Sequence, residues 1–424
     1  MDPSDVSVSG ISSGGYMAQQ FLVAYSSSLR GAGIVAGGPY YCAKGSVVTA
    51  LTDCTTPTVL NPPDVNQSIQ ATENYASRGA IDATSHLRNA KVWLFSGSKD
   101  ETVYPIVMDK LDEYTRHYVT ASNIFYEKTI PAAHSMVTDD YGFACDHKGD
   151  ANNASDNFIN NCNYDAAGKI LAHIYGPLKS QAARLRGTFV NFSQSEFIAD
   201  PVSHSMNVNG YAYVPAACDE GAKCRVHVAF HGCLQYPERI GDAYRVHTGY
   251  NEWADTNRIV VLYPQTTASS TPTAYNPKGC WDWWGYDDAN YATRDGRQMH
   301  AIKAMIDRLS AGWRPGPIGA PAQLHATGSA TDSVSLAWAA SAGPRLAGYN
   351  IYYARSAGGP YKLAANTSET SATVGSLATG TPYYFLVRAI DRRNAESSDS
   401  NRTSAATSMS PEPVPIGPVT LATP

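Results

Sequence analysis

The 424-residue sequence has few charged residues and no long apolar run. Charged residues make up 16 % of the chain, against about 25 % in average proteins. A net charge of −5 and a pI near 6.1 give no electrostatic basis for binding nucleic acid or an anionic membrane. No segment is apolar over the roughly 20 residues that a membrane helix needs. The sequence also lacks a basic segment followed by an apolar one, which would mark a signal peptide.

The eight cysteines lack the close C-x-x-C spacing that zinc sites use. An even number of separated cysteines favours up to four disulfides in an oxidising compartment, and therefore a secreted protein. Eight cysteines allow on the order of 100 connectivities, and we expect each cysteine to pair with its neighbour along the chain. The alternative is a cytosolic protein with reduced thiols.

Residues 1–314 combine short apolar runs with amphipathic stretches. The runs AGIVAGG, KVWLFSG, VHVAFHG and RIVVLYP alternate with helical stretches such as GGYMAQQFLVAYSSSL and DGRQMHAIKAMIDRL. Short buried strands between helices are typical of a mostly parallel sheet that is covered on both faces. We therefore predict one α/β domain over residues 1–314. The closely spaced prolines that follow predict a linker over residues 315–320.

Residues 321–408 change to alternating segments separated by turn residues, which predicts an antiparallel sandwich. Four positions resemble the core pattern of a fibronectin type III module: Trp338, Tyr349, Leu377 and Tyr383. The Pro-rich composition of the tail over residues 409–424 predicts an extended or disordered segment.

The sharpest motif is Gly10-Ile11-Ser12-Ser13-Gly14, which fits the pattern G-x-S-x-G. It follows the strand-like DVSVS and precedes the helical YMAQQFLVAY, which is the strand–turn–helix context of a nucleophile elbow. The helix N-terminus directs backbone N–H groups towards the site. We predict Ser12 as the nucleophile and the N–H of Ser13 as an oxyanion donor. The alternative is a Ser/Gly-rich turn without chemistry.

A serine nucleophile needs an acid and a base, which follow it in the order acid and then histidine in α/β-hydrolases. Asp100 lies in the loop after the strand-like KVWLFSG, and Glu101 and Asp109 are less well placed. Asp100 is our predicted triad acid, with a helix-capping role as the alternative. His134 follows the next strand-like stretch in a loop of small residues, so it is our predicted base. Two other histidines compete less well, one in a helical pattern and one between two cysteines: His117 and His147.

The second oxyanion donor comes from an unusual place in the sequence. In α/β-hydrolases a strand before the nucleophile supplies it, but no such strand precedes Ser12. The segment RVHVAFHGCLQ at 225–235 fits that missing strand and its loop. We therefore predict a circularly permuted α/β-hydrolase domain in which Cys233 gives the second N–H, while His231 and Gly232 shape the loop. The alternative is an ordinary buried strand that ends at a turn.

A cluster of aromatic residues lies at Gly279-Cys280-Trp281-Asp282-Trp283-Trp284. Three tryptophans within four residues cannot all point into one core. We expect at least one of them at a substrate cleft, where aromatic rings grip an apolar chain. The alternative is one core ring beside an ordinary surface aromatic.

Several of these segments together resemble extracellular polyhydroxybutyrate depolymerases, in the subtype with a lipase box near the mature N-terminus and a permuted catalytic domain. The resemblance spans most of residues 5–313 and rests on the Asp100 loop and on GISSGGYMA, AAHSM, FINNCNYDAAGKIL, AFHGC and GCWDWWG. It implies a triad of Ser12, Asp100 and His134, and a fibronectin type III-like module after the catalytic domain.

The resemblance also implies further details of the site. The oxyanion donors would be the amides of Ser13 and Cys233, Trp281 would contact substrate, and a Cys233–Cys280 disulfide would hold the oxyanion loop. The implied reaction is hydrolysis of an insoluble polyester of short 3-hydroxyacids, or of its oligomers, through an acyl-enzyme. We expect a monomer that needs no metal or organic cofactor and binds neither nucleic acid nor membrane. Two alternatives remain: a feruloyl or acetyl esterase acting on polysaccharide, and a catalytically inactive hydrolase-fold binding protein.

Overall fold

The chain divides into two compact units, Met1–Arg314 and Pro315–Pro424. The computed structural model describes residues 5–58, 61–311, 319–341, 346–391 and 396–409. Most of the predicted linker and the predicted tail from residue 410 onwards lie outside the described residues. Within the described ranges, none of the helices combines the length and the hydropathy that crossing a bilayer requires.

The N-terminal unit is built on an eight-stranded sheet. The strands of this unit are β1 (Val6–Ile11), β2 (Leu29–Val35), β3 (Lys91–Phe95), β4 (Ile124–Glu127), β5 (Met136–Thr138), β6 (Phe143–Ala144), β7 (Ile159–Asn161), β8 (Thr188–Ser193), β9 (Asn209–Val214), β10 (Arg225–Phe230) and β11 (Ile259–Tyr263). The main sheet has the order β4-β3-β2-β1-β10-β11-β9-β8. The first six strands in this order run parallel, and β9 and β8 add an antiparallel edge. The prediction of a mostly parallel sheet is confirmed.

Helices cover both faces of this sheet. They are α1 (Ser13–Ala24), α2 (Val47–Thr52), α3 (Val65–Ser77), α4 (Pro105–Tyr118), α5 (Ala166–Tyr175), α6 (Ala216–Asp219), α7 (Pro237–Ile240), α8 (Ala243–His247), α9 (Tyr250–Asn257) and α10 (Arg297–Ser310). Two separate buried clusters result, as expected for a sheet with two apolar faces. One cluster contains Val8 and Phe21, and the other contains Trp93 and Ile170.

The topology brings the predicted site residues to one edge of the sheet. Strand β1 pairs in parallel with β2 on one side and β10 on the other, so that Gly10 lies opposite both Ile34 and Phe230. The carboxyl ends of parallel strands share one edge, which is where open α/β sheets place their ligands. The loops that follow β1, β3, β4 and β10 therefore converge there, and these loops carry the four predicted chemical groups.

An insertion between β4 and α5 forms a second, small sheet in the order β5-β7-β6. A disulfide between Cys145 and Cys162 closes this insertion. The other three disulfides also join neighbouring cysteines along the chain: Cys42–Cys54, Cys218–Cys224 and Cys233–Cys280. The expected sequential pairing is confirmed.

The C-terminal unit consists of two antiparallel sheets. Its strands are β12 (Ala322–Ser329), β13 (Val334–Ala339), β14 (Leu346–Ala354), β15 (Lys362–Thr367), β16 (Ser371–Val374), β17 (Pro382–Asp391) and β18 (Thr403–Ala406). The sheet orders are β12-β13-β16 and β15-β14-β17-β18. Trp338 and Tyr349 meet in the core edge to face, with ring centroids 5.4 Å apart. The buried Tyr383 hydroxyl accepts the N–H of Ala378 at 2.9 Å and holds the loop before β17.

Candidate active site

Ser12 occupies a strained turn between β1 and α1. Its φ is 57° and its ψ is −123°, a combination that costs free energy in a residue with a side chain and is common at functional turns. A Cβ on Gly14 would overlap the carbonyl oxygens of Phe230 and His231. Only glycine at this position therefore lets α1 approach the end of β10 closely enough to form the turn.

Asp100 and His134 form a buried pair. His134 Nδ1–H donates to Asp100 Oδ2 at 2.8 Å, and the two residues are only 7 % and 4 % exposed. The other oxygen, Oδ1, accepts the backbone N–H groups of Thr102 and Val103, each at 2.8 Å. Helix α4 begins later, at Pro105, so the carboxylate caps no helix. Asp100 thus orients the imidazole and leaves its Nε2 for another group.

The competing candidates have other partners. Glu101 forms an exposed ion pair with Lys148, and Asp109 lies in an exposed ion pair on α4. His147 bonds to Asp156 at 2.7 Å within the insertion. In the part of the chain that the structure describes, no group of three or more His, Cys, Asp or Glu side chains is arranged to hold a metal ion.

The loop after β10 over residues 231–235, which carries the predicted donor of Cys233 and is named the oxyanion loop, lies directly against Ser12. A Cβ on Gly232 would be 3.3 Å from the Cβ of Ser12. The N–H of Gly232 donates to Gln235 Oε1 at 2.6 Å, and the N–H of Leu234 donates to a backbone carbonyl at 2.7 Å. Between them, the N–H of Cys233 has no hydrogen-bond acceptor among the described residues, and Cys233 lines the same groove as Ser12. This N–H is free to bind an oxyanion.

A second N–H without an acceptor among the described residues comes from the start of α1. Ser13 is the first residue of this helix, so its N–H has no acceptor within the helix. The helix dipole adds partial positive charge at the same place. Ser13 and Cys233 therefore offer two donors beside Ser12, the number expected of an oxyanion hole.

His231 fixes the peptide that carries the Cys233 N–H. The ring is fully buried, and burial lowers the pKa of His231 to about 4, so the imidazole is neutral at pH 7. Nε2 accepts the N–H of Thr266 at 3.2 Å, so the proton is on Nδ1, which donates to the carbonyl of Gly232 at 2.7 Å. This carbonyl belongs to the same peptide unit as the Cys233 N–H, and its hydrogen bond holds that donor in place.

Trp281 does not line the groove, which corrects the prediction that it contacts substrate. The residue is 0 % exposed and packs edge to face on Phe230, with centroids 5.2 Å apart. Its Nε1–H donates to the carbonyl of His231 at 2.9 Å. The indole lies in the core because the carbonyl of His231 accepts its N–H and the ring of Phe230 packs against it. The Cys233–Cys280 disulfide joins the oxyanion loop to the residue before Trp281, as the resemblance implied.

The aromatic wall of the groove comes instead from Trp283, Trp284 and Tyr16. The rings of Tyr16 and Trp283 stack with centroids 3.9 Å apart and 13° between their planes. The Tyr16 hydroxyl donates to the carbonyl of Cys54. Burial, and then the charge of Asp100, raises the pKa of Tyr16 well above its usual value. Tyr16 therefore presents a neutral ring to the groove. The sequence gave no signal that Tyr16 lines the groove, because the residue lies inside a helical pattern.

The groove is open and mainly apolar, with a volume of about 630 Å³. Its rim includes Val47 and Leu51 of α2, which are 51 % and 60 % exposed, and Tyr275, which is 62 % exposed. Exposed apolar side chains gathered in one place mark an interaction site rather than an ordinary surface. Ser12, His134 and Cys233 all line this groove.

The chain is similar to known proteins over most of its length. It is 44 % identical to a poly(3-hydroxybutyrate) depolymerase of Delftia acidovorans over 413 residues, which cover 94 % of this chain and 78 % of that protein. It is 38 % identical to a polyhydroxybutyrate depolymerase of Talaromyces funiculosus over 324 residues, covering 74 % of this chain and 92 % of that one.

Solved structures give the same result. The PHB depolymerase of Penicillium funiculosum superposes with a TM-score of 0.67 and 36 % identity, covering 74 % of this chain and 98 % of that one. A PHB depolymerase complexed with an R3HB trimer gives the same TM-score, identity and coverage. Residues 319–405 match the model of the fibronectin type III domain. The chain therefore belongs to the polyhydroxybutyrate depolymerase family and carries a fibronectin type III domain in its C-terminal unit.

Proposed function

We propose that this protein is a secreted esterase that hydrolyses poly(3-hydroxybutyrate) with a triad of Ser12, His134 and Asp100. The observation that carries the proposal is the buried His134–Asp100 hydrogen bond of 2.8 Å in the groove that Ser12 also lines. The family relationship supplies the substrate class. The four disulfides support the secreted location, since such bonds persist in oxidising compartments.

In the acylation step, Ser12 Oγ attacks an ester carbonyl of the polymer, and His134 Nε2 takes the serine proton. Negative charge develops on the carbonyl oxygen, where the N–H groups of Ser13 and Cys233 stabilise it. The bond between the carbonyl carbon and the ester oxygen then breaks, and His134 donates the proton to that oxygen, so that the next hydroxyacid unit leaves as an alcohol. Asp100 stabilises the imidazolium that exists between these two transfers.

In the deacylation step, His134 takes a proton from water, and the resulting nucleophile attacks the acyl-enzyme. The second tetrahedral intermediate uses the same two donors, and its collapse returns the proton to Ser12 Oγ. The products are a chain with a free carboxylate and the regenerated enzyme, so that each cycle consumes one water molecule.

The groove suits an apolar polyester better than a sugar. Its aromatic wall and the exposed apolar residues of α2 offer contact area, while the Tyr16 hydroxyl is already used by the carbonyl of Cys54. Polysaccharide sites need polar groups that satisfy many hydroxyls. A solid polyester with methyl side chains needs no such polar groups. The open groove also admits a segment from the middle of a polymer.

We also propose that the N-terminal domain is circularly permuted and spans residues 1–314. The strand that supplies the second oxyanion donor, β10, lies beside β1 in the sheet although it follows it by more than 200 residues in the chain. In the ordinary chain order of α/β-hydrolases this strand precedes the nucleophile. We propose that residues 321–408 form the second domain.

The proposal is tested by labelling with a fluorophosphonate and by product analysis. The adduct should map to Ser12 by mass spectrometry, and incubation with poly(3-hydroxybutyrate) should release 3-hydroxybutyrate or its oligomers. Labelling at Ser12 with release of ferulate or acetate from polysaccharide, and no release from the polyester, would favour the polysaccharide esterase. Absence of any adduct would favour the inactive binding protein.

A further inference from the structure

Gln235 joins two segments of chain that both line the groove. The residue lines the groove and is 2 % exposed. Its Oε1 accepts the N–H of Gly232 at 2.6 Å. Its Nε2 donates to the carbonyls of Asn157 and Phe158 at 2.8 Å and 3.3 Å. The side chain therefore ties the oxyanion loop to the insertion that follows β4.

The carbonyl of Phe158 is a junction between this side chain and the catalytic base. Besides Gln235, it accepts the N–H of Met136 at 2.9 Å, two residues after His134. Phe158 is itself held, since its N–H donates to the buried carboxylate of Asp156 at 3.1 Å and its φ is 53°. A short series of hydrogen bonds thus runs from the oxyanion loop through Gln235 to the loop of the base.

We propose that Gln235 is a positioning residue that sets the placement of the Cys233 oxyanion donor relative to His134. The inference rests on the triad and oxyanion hole proposed above. A primary amide supplies an acceptor and two donors in a fixed plane, which the three bonds of Gln235 require. Transition-state stabilisation depends on sub-ångström placement of such donors. Removal of the tie should therefore slow the chemical step more than it weakens substrate binding.

The first test compares Gln235→Met with a matched control, Gln194→Met. Gln194 is 0 % exposed and also joins backbone segments, with Oε1 accepting the N–H of Gln265 at 3.0 Å and Nε2 donating to Asn207 O at 2.6 Å. It is not among the residues that line the groove. We expect Gln235→Met to lower kcat on a soluble p-nitrophenyl butyrate by about 10- to 100-fold, with KM within about 2-fold. Gln194→Met should lower the melting temperature without this effect on kcat.

The second measurement probes the oxyanion donor directly. An alkyl trifluoromethyl ketone forms a hemiketal on the serine, and its oxyanion needs the same donors as the transition state. Its inhibition constant should rise in Gln235→Met by the same factor by which kcat/KM falls, because both quantities report transition-state binding. In Gln194→Met the inhibition constant should not change. A merely structural role for Gln235 predicts no such proportionality.

A third variant, Gln235→Glu, separates the acceptor from the donor. Ionised Glu keeps the acceptor for Gly232 but faces two carbonyls without a proton to donate. Protonation restores one donor, so the kcat of this variant relative to the wild type should rise as the pH falls from about 8 to about 5.5. Gln194→Glu should show no such rise.

The outcomes distinguish this inference from the proposed function. A folded Gln235→Met with wild-type kcat and unchanged ketone inhibition would overturn the inference alone. So would a Gln235→Glu ratio that is independent of pH. An inactive wild type, or an active Ser12→Ala, would overturn the proposed function and this inference with it.

Discussion

The two sides of the groove are built in different ways. On one side, Ser12, Asp100 and His134 each lie in a loop directly after a strand of the parallel sheet, within the first 134 residues. On the other side, the oxyanion loop and the two tryptophans of the aromatic wall come from residues 231–284 and depend on a disulfide and on buried side chains. The triad side is held mainly by strand order, whereas the oxyanion side is held by contacts distant in sequence.

This difference predicts how each side responds to change. A triad substitution removes a chemical group and leaves the framework intact. A substitution on the oxyanion side shifts the backbone that places the Cys233 N–H beside Ser12. Activity and stability should therefore change together.

On the triad side, Asp100→Asn should lower kcat/KM by about 10⁴-fold, because the wrong imidazole tautomer then faces Ser12. Stability should change little in comparison, since the isosteric amide still accepts the N–H groups of Thr102 and Val103. Steady-state kinetics on a soluble ester and a thermal melt check both parts. The matched control is Asp109→Asn, which alters an ion pair with Lys128 and a hydrogen bond from the Tyr126 hydroxyl at a position that does not line the groove. An Asp100→Asn enzyme within about 10-fold of the wild type would contradict the triad.

On the oxyanion side, the double substitution Cys233→Ala/Cys280→Ala should lower kcat by about 10- to 100-fold. It should also lower the free energy of unfolding by about 2–4 kcal/mol. The control Cys218→Ala/Cys224→Ala removes a disulfide that does not line the groove, and it should affect stability alone. Equal kcat losses in the two double variants would contradict the claim that the Cys233–Cys280 disulfide has a specific effect on the oxyanion loop.

Substitution of Trp281 and Trp283 should have smaller effects, the first on stability and the second on KM. Trp281→Phe loses the donor to the buried carbonyl of His231, so we expect a loss of about 1–3 kcal/mol of stability. Trp283 Nε1 has no hydrogen-bond partner among the described residues, so Trp283→Phe should cost less stability than Trp281→Phe. It should nevertheless raise KM a few-fold, because Trp283 forms part of the groove wall. Urea unfolding and KM for a soluble oligomer measure the two effects. A higher KM in Trp281→Phe, together with the larger loss of stability in Trp283→Phe, would indicate instead that Trp281 lines the groove.

The smallest effect concerns the pH dependence of stability. Burial lowers the pKa of His227 to about 3 and that of His231 to about 4, against about 6.5 in an unfolded chain. Below about pH 6.5 the unfolded chain binds protons that the folded chain does not, so the free energy of unfolding should fall as the pH drops from about 6.5 to about 4. Urea titrations across this range measure the slope.

His227→Gln should flatten that pH profile, because it removes one of the two buried imidazoles that stay unprotonated in the folded chain. His227 bonds to Ser7 and Ser9 inside the sheet, at 2.7 Å each, and is not among the residues that line the groove. Its loss should therefore spare kcat. An unaltered slope in His227→Gln would show that other groups set the acid sensitivity.

The sequence predicted the positions of Ser12, Asp100 and His134 better than it predicted the aromatic wall. Their common place at one edge of the sheet could be predicted because a residue after a buried parallel strand has only one edge of the sheet to occupy. The segment that supplies Cys233 could be predicted for the same reason. These positions follow from the local pattern of strands and turns.

Side-chain directions in the aromatic cluster could not be predicted in this way. Whether Trp281 or Trp283 faces the groove depends on the carbonyl of His231 and on the ring of Tyr16, both distant in sequence. The bridging role of Gln235 likewise requires Phe158, which lies 77 positions earlier in the chain. Neither hydrophobic periodicity nor the spacing of residues in a motif predicts such contacts.

The loss of turbidity of a poly(3-hydroxybutyrate) suspension, compared side by side for the native protein and Ser12→Ala, tests the nucleophile and the substrate together. We expect clearing by the native protein and none by the variant, because the triad acts as a unit and its loss costs about 10⁶-fold in kcat. Clearing by both proteins would contradict Ser12 as the nucleophile. No clearing by the native protein, while it still cleaves soluble short-chain esters, would contradict the polymer as its substrate.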